Sequence, residues 1–275
     1  MKTLLEKTRH LTQLLGYDEE PLGIYFTDTK PEGYGPKPGE IFSREREEKG
    51  EIDWGKAFKD FTCLVGSVWL ARKKHKAAYI SLEEAGCMGG GFYTGMYYPY
   101  LETQIGYVST GIPGTNIEGE HYFPSPESMR RFVEASTPPL ATKKYCVLQP
   151  LDLFTDEKPV IVAFFARPEV LSGLFSLASY TTGDYNAIIS PFGAGCTSLV
   201  SWPLIVASQG KDQAVLGGFD LSARRFFKTD ELSLAIPIHL YDKMLDAVDS
   251  SALTRNTWPG VKKKVDRSKK TWGEL

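Results

Sequence analysis

The chain has 275 residues, of which 42% are hydrophobic and 24% charged, values typical of a globular protein with a sizeable core. Its formal net charge of −2 excludes the strongly basic surface that binders of nucleic acid or of anionic membranes carry. No run approaches the roughly 18 apolar residues of a membrane helix, and the first residues lack the apolar core of a signal peptide. We therefore expect a cytoplasmic protein.

Hydrophobic periodicity and turn residues divide the chain into alternating helices and strands. The predicted helices span residues 4–15, 54–74, 92–101, a short segment from Pro126, 168–180, 196–209 and 237–248. The predicted strands span residues 22–26, 77–81, 145–148, 159–166, 187–190, 214–219 and 232–236. This alternation predicts an α/β or α+β fold, a layered sheet with flanking helices.

The domain organisation follows from the same pattern. Residues 1–255 are predicted to form a single globular domain, and residues 256–275 a basic polar tail. Two halves, 1–150 and 151–255, resemble each other weakly, because each contains a short strand followed by a glycine-containing loop, a cysteine and a helix. Internal duplication of this unit is one hypothesis, and chance recurrence of a common local pattern is the other.

The segment 102–126 separates two predicted helices and is rich in Gly, Thr, Ser and Pro. It is too long for a simple connector inside a compact domain, since most such connections have only a few residues. Segments of this kind commonly have a function of their own. We therefore interpret 102–126 as a candidate flap over a binding site.

Three of the four cysteines, Cys63, Cys87 and Cys196, stand where a helix is predicted to begin. The free N–H groups and the partial positive charge of a helix start stabilise a thiolate, which is the form of cysteine that binds metals and acts as a nucleophile. Cys146 lies inside an apolar strand and is interpreted as packing. The wide spacing, with no C-x-x-C pair, argues against a zinc ribbon or a thioredoxin-like motif.

The three cysteines suggest a metal site if the fold brings them together. Cys63, Cys87 and Cys196 would then hold an iron–sulfur cluster with one open iron, or another soft metal bound by thiolates, for redox or cofactor metabolism. Backbone groups of Gly89, Gly90 and Gly195 are candidates for binding the same cofactor, because glycine lets the backbone approach a ligand closely. Arg224 is a further candidate, for a carboxylate or phosphate group.

Two alternatives remain open from the sequence. Cys87 is a candidate catalytic nucleophile, with N–H groups of the glycine-rich segment forming an oxyanion hole. The chain is otherwise a non-catalytic module that binds a small ligand between the aromatic segment 92–100 and the segment 102–126. A small molecule or a redox partner protein is the expected partner, whereas nucleic acid and membranes are not; the oligomeric state is left open.

The order of these features resembles the domain of unknown function 169 family, an uncharacterised family of archaea and bacteria, many of them anaerobes. The matching pieces are residues 21–26, Pro31-Glu32-Gly33, Cys63, Cys87-Met88-Gly89-Gly90, residues 147–151, residues 159–165, Arg167-Pro168-Glu169, Cys196, and Gly218 with Arg224. The resemblance covers roughly residues 3–250. It implies the fold and the cysteine positions, and it implies no activity.

Overall fold

Eight strands of the described chain pair into one mixed sheet, with helices on both of its faces. The computed structural model describes residues 3–35, 43–57, 62–81, 87–96, 100–155 and 157–273. The helices are α1 Leu4–Leu15, α2 Arg44–Glu48, α3 Trp54–Ala57, α4 Leu64–Lys74, α5 Met88–Tyr93, α6 Glu102–Val108, α7 Pro126–Ala135, α8 Pro168–Thr182, α9 Trp202–Ser208, α10 Ile238–Ala247 and α11 Thr257–Trp272. The strands are β1 Leu22–Thr27, β2 Gly33–Tyr34, β3 Ala77–Ser81, β4 Tyr145–Pro150, β5 Ile161–Ala166, β6 Ile188–Ile189, β7 Ala214–Gly217 and β8 Leu232–Pro237. The predicted layered fold class is confirmed.

Several helix boundaries follow from local sequence. Thr3 and Glu6 form a reciprocal capping box at the start of α1, in which each side chain accepts a hydrogen bond from the backbone N–H of the other. Gly16 ends the same helix in the left-handed conformation, with φ 71°, which glycine adopts without strain. The predicted helix from Pro126 is confirmed, with Ser125 as its N-cap.

The strand order is β2-β3-β4-β1-β5-β8-β7-β6, with β1 and β5 antiparallel at the centre. Outward from the centre, the two sides of the sheet have the same arrangement. The pairs β1–β4 and β5–β8 are antiparallel, as are β3–β4 and β7–β8, whereas β2–β3 and β6–β7 are parallel. The sheet therefore has twofold pseudosymmetry between a half that ends with β4 and a half that begins with β5.

The symmetry extends to individual residues. Pro150 at the end of β4 lies opposite Leu22, and Pro237 at the end of β8 lies opposite Ile161. The next residue in each half donates its N–H, at 2.9 Å, to the carbonyl that precedes the central strand. These correspondences coincide with the predicted halves 1–150 and 151–255.

The structure pairs the cysteines of the two halves differently from the sequence interpretation. The sequence pattern aligned the unit around Cys87 with the unit around Cys196. In the sheet, the helix between the second and third strands of each half begins at Cys63 in the first half and at Cys196 in the second. Cys63 and Cys196 are therefore the topologically equivalent pair, and Cys87 follows the third strand.

The core lies on both faces because the central strands are buried on both sides. In β5, Val162 and Phe164 pack with α1, α8 and α10, whereas the alternate residues Ala163 and Phe165 pack with α4 and the segment after Cys196. This alternation is the period-2 pattern of a strand. The second face carries the three candidate cysteines.

Three predicted segments differ from the structure. The helix predicted over 54–74 is interrupted, since Thr62 and Cys63 are not helical and α4 begins at Leu64; residues 58–61 lie outside the described residues. The helix predicted over 92–101 ends at Tyr93, where the chain turns through Gly95 with φ 76°, and residues 97–99 are also outside the described part. The segment 256–275, predicted as a polar tail, contains the helix α11.

Helix α11 is amphipathic enough to pack on the domain. The Trp258 indole N–H and the Lys262 ammonium both donate to the carbonyl oxygen of Leu14, at 3.0 and 2.6 Å. These donors satisfy a carbonyl that the end of α1 leaves free. None of the helices in the described ranges has the length and apolar character needed to cross a membrane.

Candidate functional site

The three cysteines that the sequence singled out all stand at helix starts, as predicted. Cys63 is the N-cap of α4, and Cys87 is the N-cap of α5. Cys196 precedes the π-helical segment Thr197–Ser201, which continues into α9. These helix starts lie on the same face of the sheet. Cys63 and Cys196, which are 133 positions apart in sequence, therefore reach the same place in the fold.

Small residues allow the three helix starts to approach one another. A methyl group on Gly195 would lie 2.8 Å from Val65 Cγ2, and one on Gly90 would lie 2.9 Å from Cys87 Sγ and 3.4 Å from Leu64 Cβ. The first turn of α4 is thus held between these two glycines. Larger residues at either position would push the helix starts, and the cysteines on them, apart.

A cavity of about 190 Å³ opens between the helix starts. All three cysteines line it, and most of its remaining wall is apolar or aromatic. The other lining residues are Leu64, Val65, Met88, Gly89, Gly90, Tyr93, Tyr100, Gln104, Tyr107, Val108, Glu120, Tyr122, Phe123, Met129, Phe132, Phe192, Gly193, Ala194, Gly195, Asp220 and Ser222. The volume is enough for a small ligand beside the thiols.

Backbone N–H groups surround the sulfur atoms. The Gly90 N–H donates to Cys87 Sγ at 3.0 Å, and the Leu64 N–H at the start of α4 also faces this sulfur. The N–H groups of Val65 and Gly66 lie near the Cys63 thiol and act to lower its pKa, without a hydrogen bond like that to Cys87. Hydrogen bonds of this kind stabilise the thiolate and, in metal centres, tune the properties of the metal.

Burial works in the opposite direction and is the larger effect. Desolvation, with a smaller contribution from the neighbouring Cys63, raises the pKa of Cys87 to about 12. Desolvation also raises the pKa of Cys63, and raises that of Cys196 well above its ordinary value, with both other thiols contributing to the latter. The three thiols are therefore close enough to oppose one another's ionisation, and each is protonated at neutral pH when nothing is bound.

The thiols do not form a compact set around a point. Across the described ranges, no group of three or more His, Cys, Asp or Glu side chains is arranged to hold a metal ion. A single ion such as Zn²⁺ requires sulfur ligands at about 2.3 Å, and so at short distances from one another. The arrangement of the three cysteines therefore disfavours a mononuclear site.

Six aromatic rings form a continuous wall of the cavity. Tyr100, Tyr93 and Phe132 contact in sequence, with ring centroids 5.9 and 6.3 Å apart. The series continues through Phe123 and Phe192 to the last ring, Tyr122, at 5.0, 6.1 and 6.0 Å. Part of this wall comes from the segment 102–126, so the segment interpreted as a flap does line the cavity.

Two carboxylates also face the cavity. Asp220 follows β7 and is only 8% exposed; its oxygens accept hydrogen bonds from the Gly195 N–H at 2.8 Å and from the N–H and hydroxyl of Ser222. Glu120 comes from the segment 102–126. Partial desolvation and the neighbouring Asp220 carboxylate raise the pKa of Glu120 to about 7, although much of the residue faces solvent at the cavity mouth.

The glycines predicted as cofactor-binding residues, Gly89, Gly90 and Gly195, all line the cavity, but Arg224 does not. Its guanidinium donates to the carbonyl oxygens of Gly218, Lys228, Thr229 and Glu231. The structure gives no support to the assignment of Arg224 to a ligand in this cavity, because backbone acceptors engage both of its terminal nitrogen atoms. Arg224 instead holds together the connection between β7 and β8, which carries Asp220.

The sequence interpretation missed Asp220 and Glu120. Asp220 had a usable signal, since an Asp with a Ser two residues later, directly after a strand and two glycines, is typical of an ordered turn. Glu120 had none, because its approach to the cavity depends on the path of a long segment. Cys146 is fully buried in β4 and is not one of the cavity residues, as its interpretation as packing implied.

Comparison with known proteins places most of the chain in one family. The model of the DUF169 family, described as uncharacterised ArCR, matches residues 10–247. This is the family that the sequence resembles, and the matched residues cover nearly all of the expected range, roughly 3–250. No curated protein and no solved structure matches the chain.

Proposed function

We propose that this chain, which belongs to the DUF169 family, binds an iron–sulfur cluster through Cys63, Cys87 and Cys196. The observation that carries the proposal is the meeting of three thiols, each at a helix start, at one cavity. Thiolates are the usual protein ligands of such clusters. Three cysteine thiolates would supply three of the four ligands that a four-iron cluster takes from protein.

A cluster and a single ion require different spacings of their thiolate ligands. A four-iron cluster is much larger than one ion, so its cysteine ligands stand farther apart than those of zinc. The N–H groups directed at Cys63 and Cys87 would stabilise the negative charge of a bound cluster.

The fourth iron suggests how the protein acts. An iron atom that lacks a protein ligand is open to a small molecule in the cavity, and the cluster itself can exchange an electron with a redox partner protein. The apolar wall would limit the access of bulk water to a bound cluster, and solvent exposure is one of the factors that set the reduction potential of such a cluster. We place the chain in redox or cofactor metabolism on this basis.

The same site supports thiol catalysis less well. With a pKa of about 12, only about one Cys87 thiol in 10⁵ is ionised at pH 7. We expect the metal-free protein to react slowly with iodoacetamide at Cys87 at pH 7, and the rate to rise about tenfold per pH unit. Mass spectrometry of alkylated peptides measures this, and fast modification of Cys87 at pH 7 would favour the nucleophile instead.

The proposal is tested on the wild-type chain purified under anaerobic conditions, or reconstituted with iron and sulfide. We expect a broad visible absorbance band and about four iron and four sulfide per chain. Metal analysis measures iron and zinc, and a colorimetric assay measures sulfide. Stoichiometric zinc without sulfide would replace the cluster by a mononuclear site, and protein that stays colourless and metal-free after reconstitution would refute the proposal.

A further inference from the structure

The aromatic wall and the two carboxylates line the same cavity, and both kinds of group attract positive charge. The face of an aromatic ring is negative and attracts a cation within about 6 Å of its centre. Tyr93, Phe132, Phe123 and Phe192 form successive contacts in this wall. A group of aromatic rings around a cavity is the arrangement that recognises alkylated ammonium ions.

Asp220 adds negative charge at a buried position. It is 8% exposed, and its hydrogen-bond donors, the N–H of Gly195 and the N–H and hydroxyl of Ser222, are all neutral. No Lys, Arg or His of the described ranges forms an ion pair with it. Buried charges in proteins are ordinarily paired, so the cavity contains a carboxylate whose counter-ion the described protein does not supply.

The lining residues disfavour an anionic ligand. No Lys, Arg or His is found among the described residues that line the cavity. Arg225 lies near Cys63, but its guanidinium stacks on the ring of Phe226, 4.7 Å from the ring centre, and it does not line the wall. A phosphate or carboxylate ligand would thus meet two carboxylates and no cation.

We propose that the cavity binds a small organic cation, an alkylated ammonium compound, with its charged group among the aromatic rings and beside Asp220 and Glu120. The aromatic rings replace the water around the alkyl groups, and the carboxylates balance the charge. A cluster at the sulfur end would take part of the volume of about 190 Å³, so the remainder limits the ligand to a few carbon atoms around the nitrogen.

This inference rests on the proposed function, because it gives the sulfur end of the cavity to the cluster and the carboxylate end to the ligand. The two assignments nevertheless concern different side chains. Iron content reports on the cysteines, and cation binding reports on the aromatic rings and carboxylates.

Isothermal titration calorimetry of the reconstituted protein tests the inference at constant ionic strength. The probes are tetramethylammonium, choline, and 3,3-dimethyl-1-butanol, which has the shape of choline without its charge; inorganic phosphate is the anionic probe. We expect choline to bind about tenfold or more tightly than the neutral alcohol, and phosphate not to bind.

Two carboxylate variants locate the site. Asp220→Asn and Glu120→Gln are each expected to weaken choline binding about tenfold while the iron content stays that of the wild type. Glu120→Gln remains informative if Asp220→Asn disturbs the hydrogen bonds around Gly195 and fails to fold. Asp249→Asn is the matched control, because Asp249 is an exposed carboxylate that pairs with His10 on another surface and should leave binding unchanged.

Each outcome decides the inference. Equal affinity for choline and the neutral alcohol, no heat from either ammonium compound at millimolar concentration, or preferential binding of phosphate would overturn it. If the iron is present in those cases, the proposed function survives alone. If choline binds as expected to protein that takes up no iron, the cation site is supported and the cluster is not.

Discussion

Replacing any one of Cys63, Cys87 and Cys196 by alanine is expected to lower the iron content of the anaerobically purified protein about tenfold or more. Each residue supplies one of only three thiolates, and the cluster cannot recruit another thiol, since the fourth cysteine is not a cavity residue. Alanine is the appropriate replacement because a serine oxygen can take the place of a sulfur ligand. Iron and sulfide analysis with the visible spectrum measures the loss.

Cys146→Ala is the matched control for this series. Cys146 is fully buried in β4, so the variant has the same change of side chain without loss of a proposed ligand. We expect it to keep the iron and sulfide content of the wild type. The proposed function would be contradicted if the three cavity variants retained their iron, or if Cys146→Ala lost it while remaining folded.

The second large effect is on stability, at the ion pair between Arg72 and Glu231. The Arg72 guanidinium donates to both carboxylate oxygens of Glu231, at 2.7 and 3.0 Å, and to Glu19 at 2.7 Å. The side chains of Arg72 and Glu231 are only 10% and 2% exposed. Arg72→Met leaves the Glu231 charge buried without its partner, so we expect the free energy of unfolding to fall by about 3–5 kcal/mol.

Urea denaturation of the purified variants measures this change. Arg72→Met combined with Glu231→Gln removes the unpaired charge and is expected to recover about 2 kcal/mol of the loss. Lys243→Met is the control, since Lys243 forms an exposed pair with Asp212 that contributes about 1 kcal/mol or less. A loss below about 1 kcal/mol for Arg72→Met would mean that solvent reaches Glu231 and that the pair is not buried in solution.

Much of the fold was predictable because local signals agree with it. The helix that begins at Leu4 and the strand that begins at Ala77 have the predicted bounds, since capping, hydrophobic period and turn residues act within a few positions. The predicted helix boundaries were wrong where a local pattern was misleading. The apolar run around Cys63 has helical spacing, but the backbone of Cys63 is extended and α4 begins only at Leu64.

The internal symmetry was visible in the sequence only in part. The sequence suggested two halves, 1–150 and 151–255, but it aligned their units through Cys87 and Cys196 because each follows a strand and glycines. Strand pairing shows that Cys63 is the counterpart of Cys196. Pairing is a long-range property, and a single sequence contains no signal for which strands are neighbours.

The candidate site was likewise predictable from the sequence only in part. The cysteines and glycines could be identified because a cysteine beside small residues at a helix start is a local pattern with a chemical meaning. Arg224 looked equally suitable, yet its donors are occupied by four carbonyl groups of its own loop. Whether a polar side chain is free to bind a ligand depends on its neighbours in space.

The sequence by itself determined the alternation of elements and the position of Cys63, Cys87 and Cys196 at helix starts. These properties depend on hydrogen bonds and burial within one or two turns of chain. Only the tertiary structure decided that the three thiols meet and that Asp220 and the aromatic wall share their cavity. The physical reason is that the strand order brings distant helix starts to one face of the sheet, where glycine contacts let them close on a common cavity.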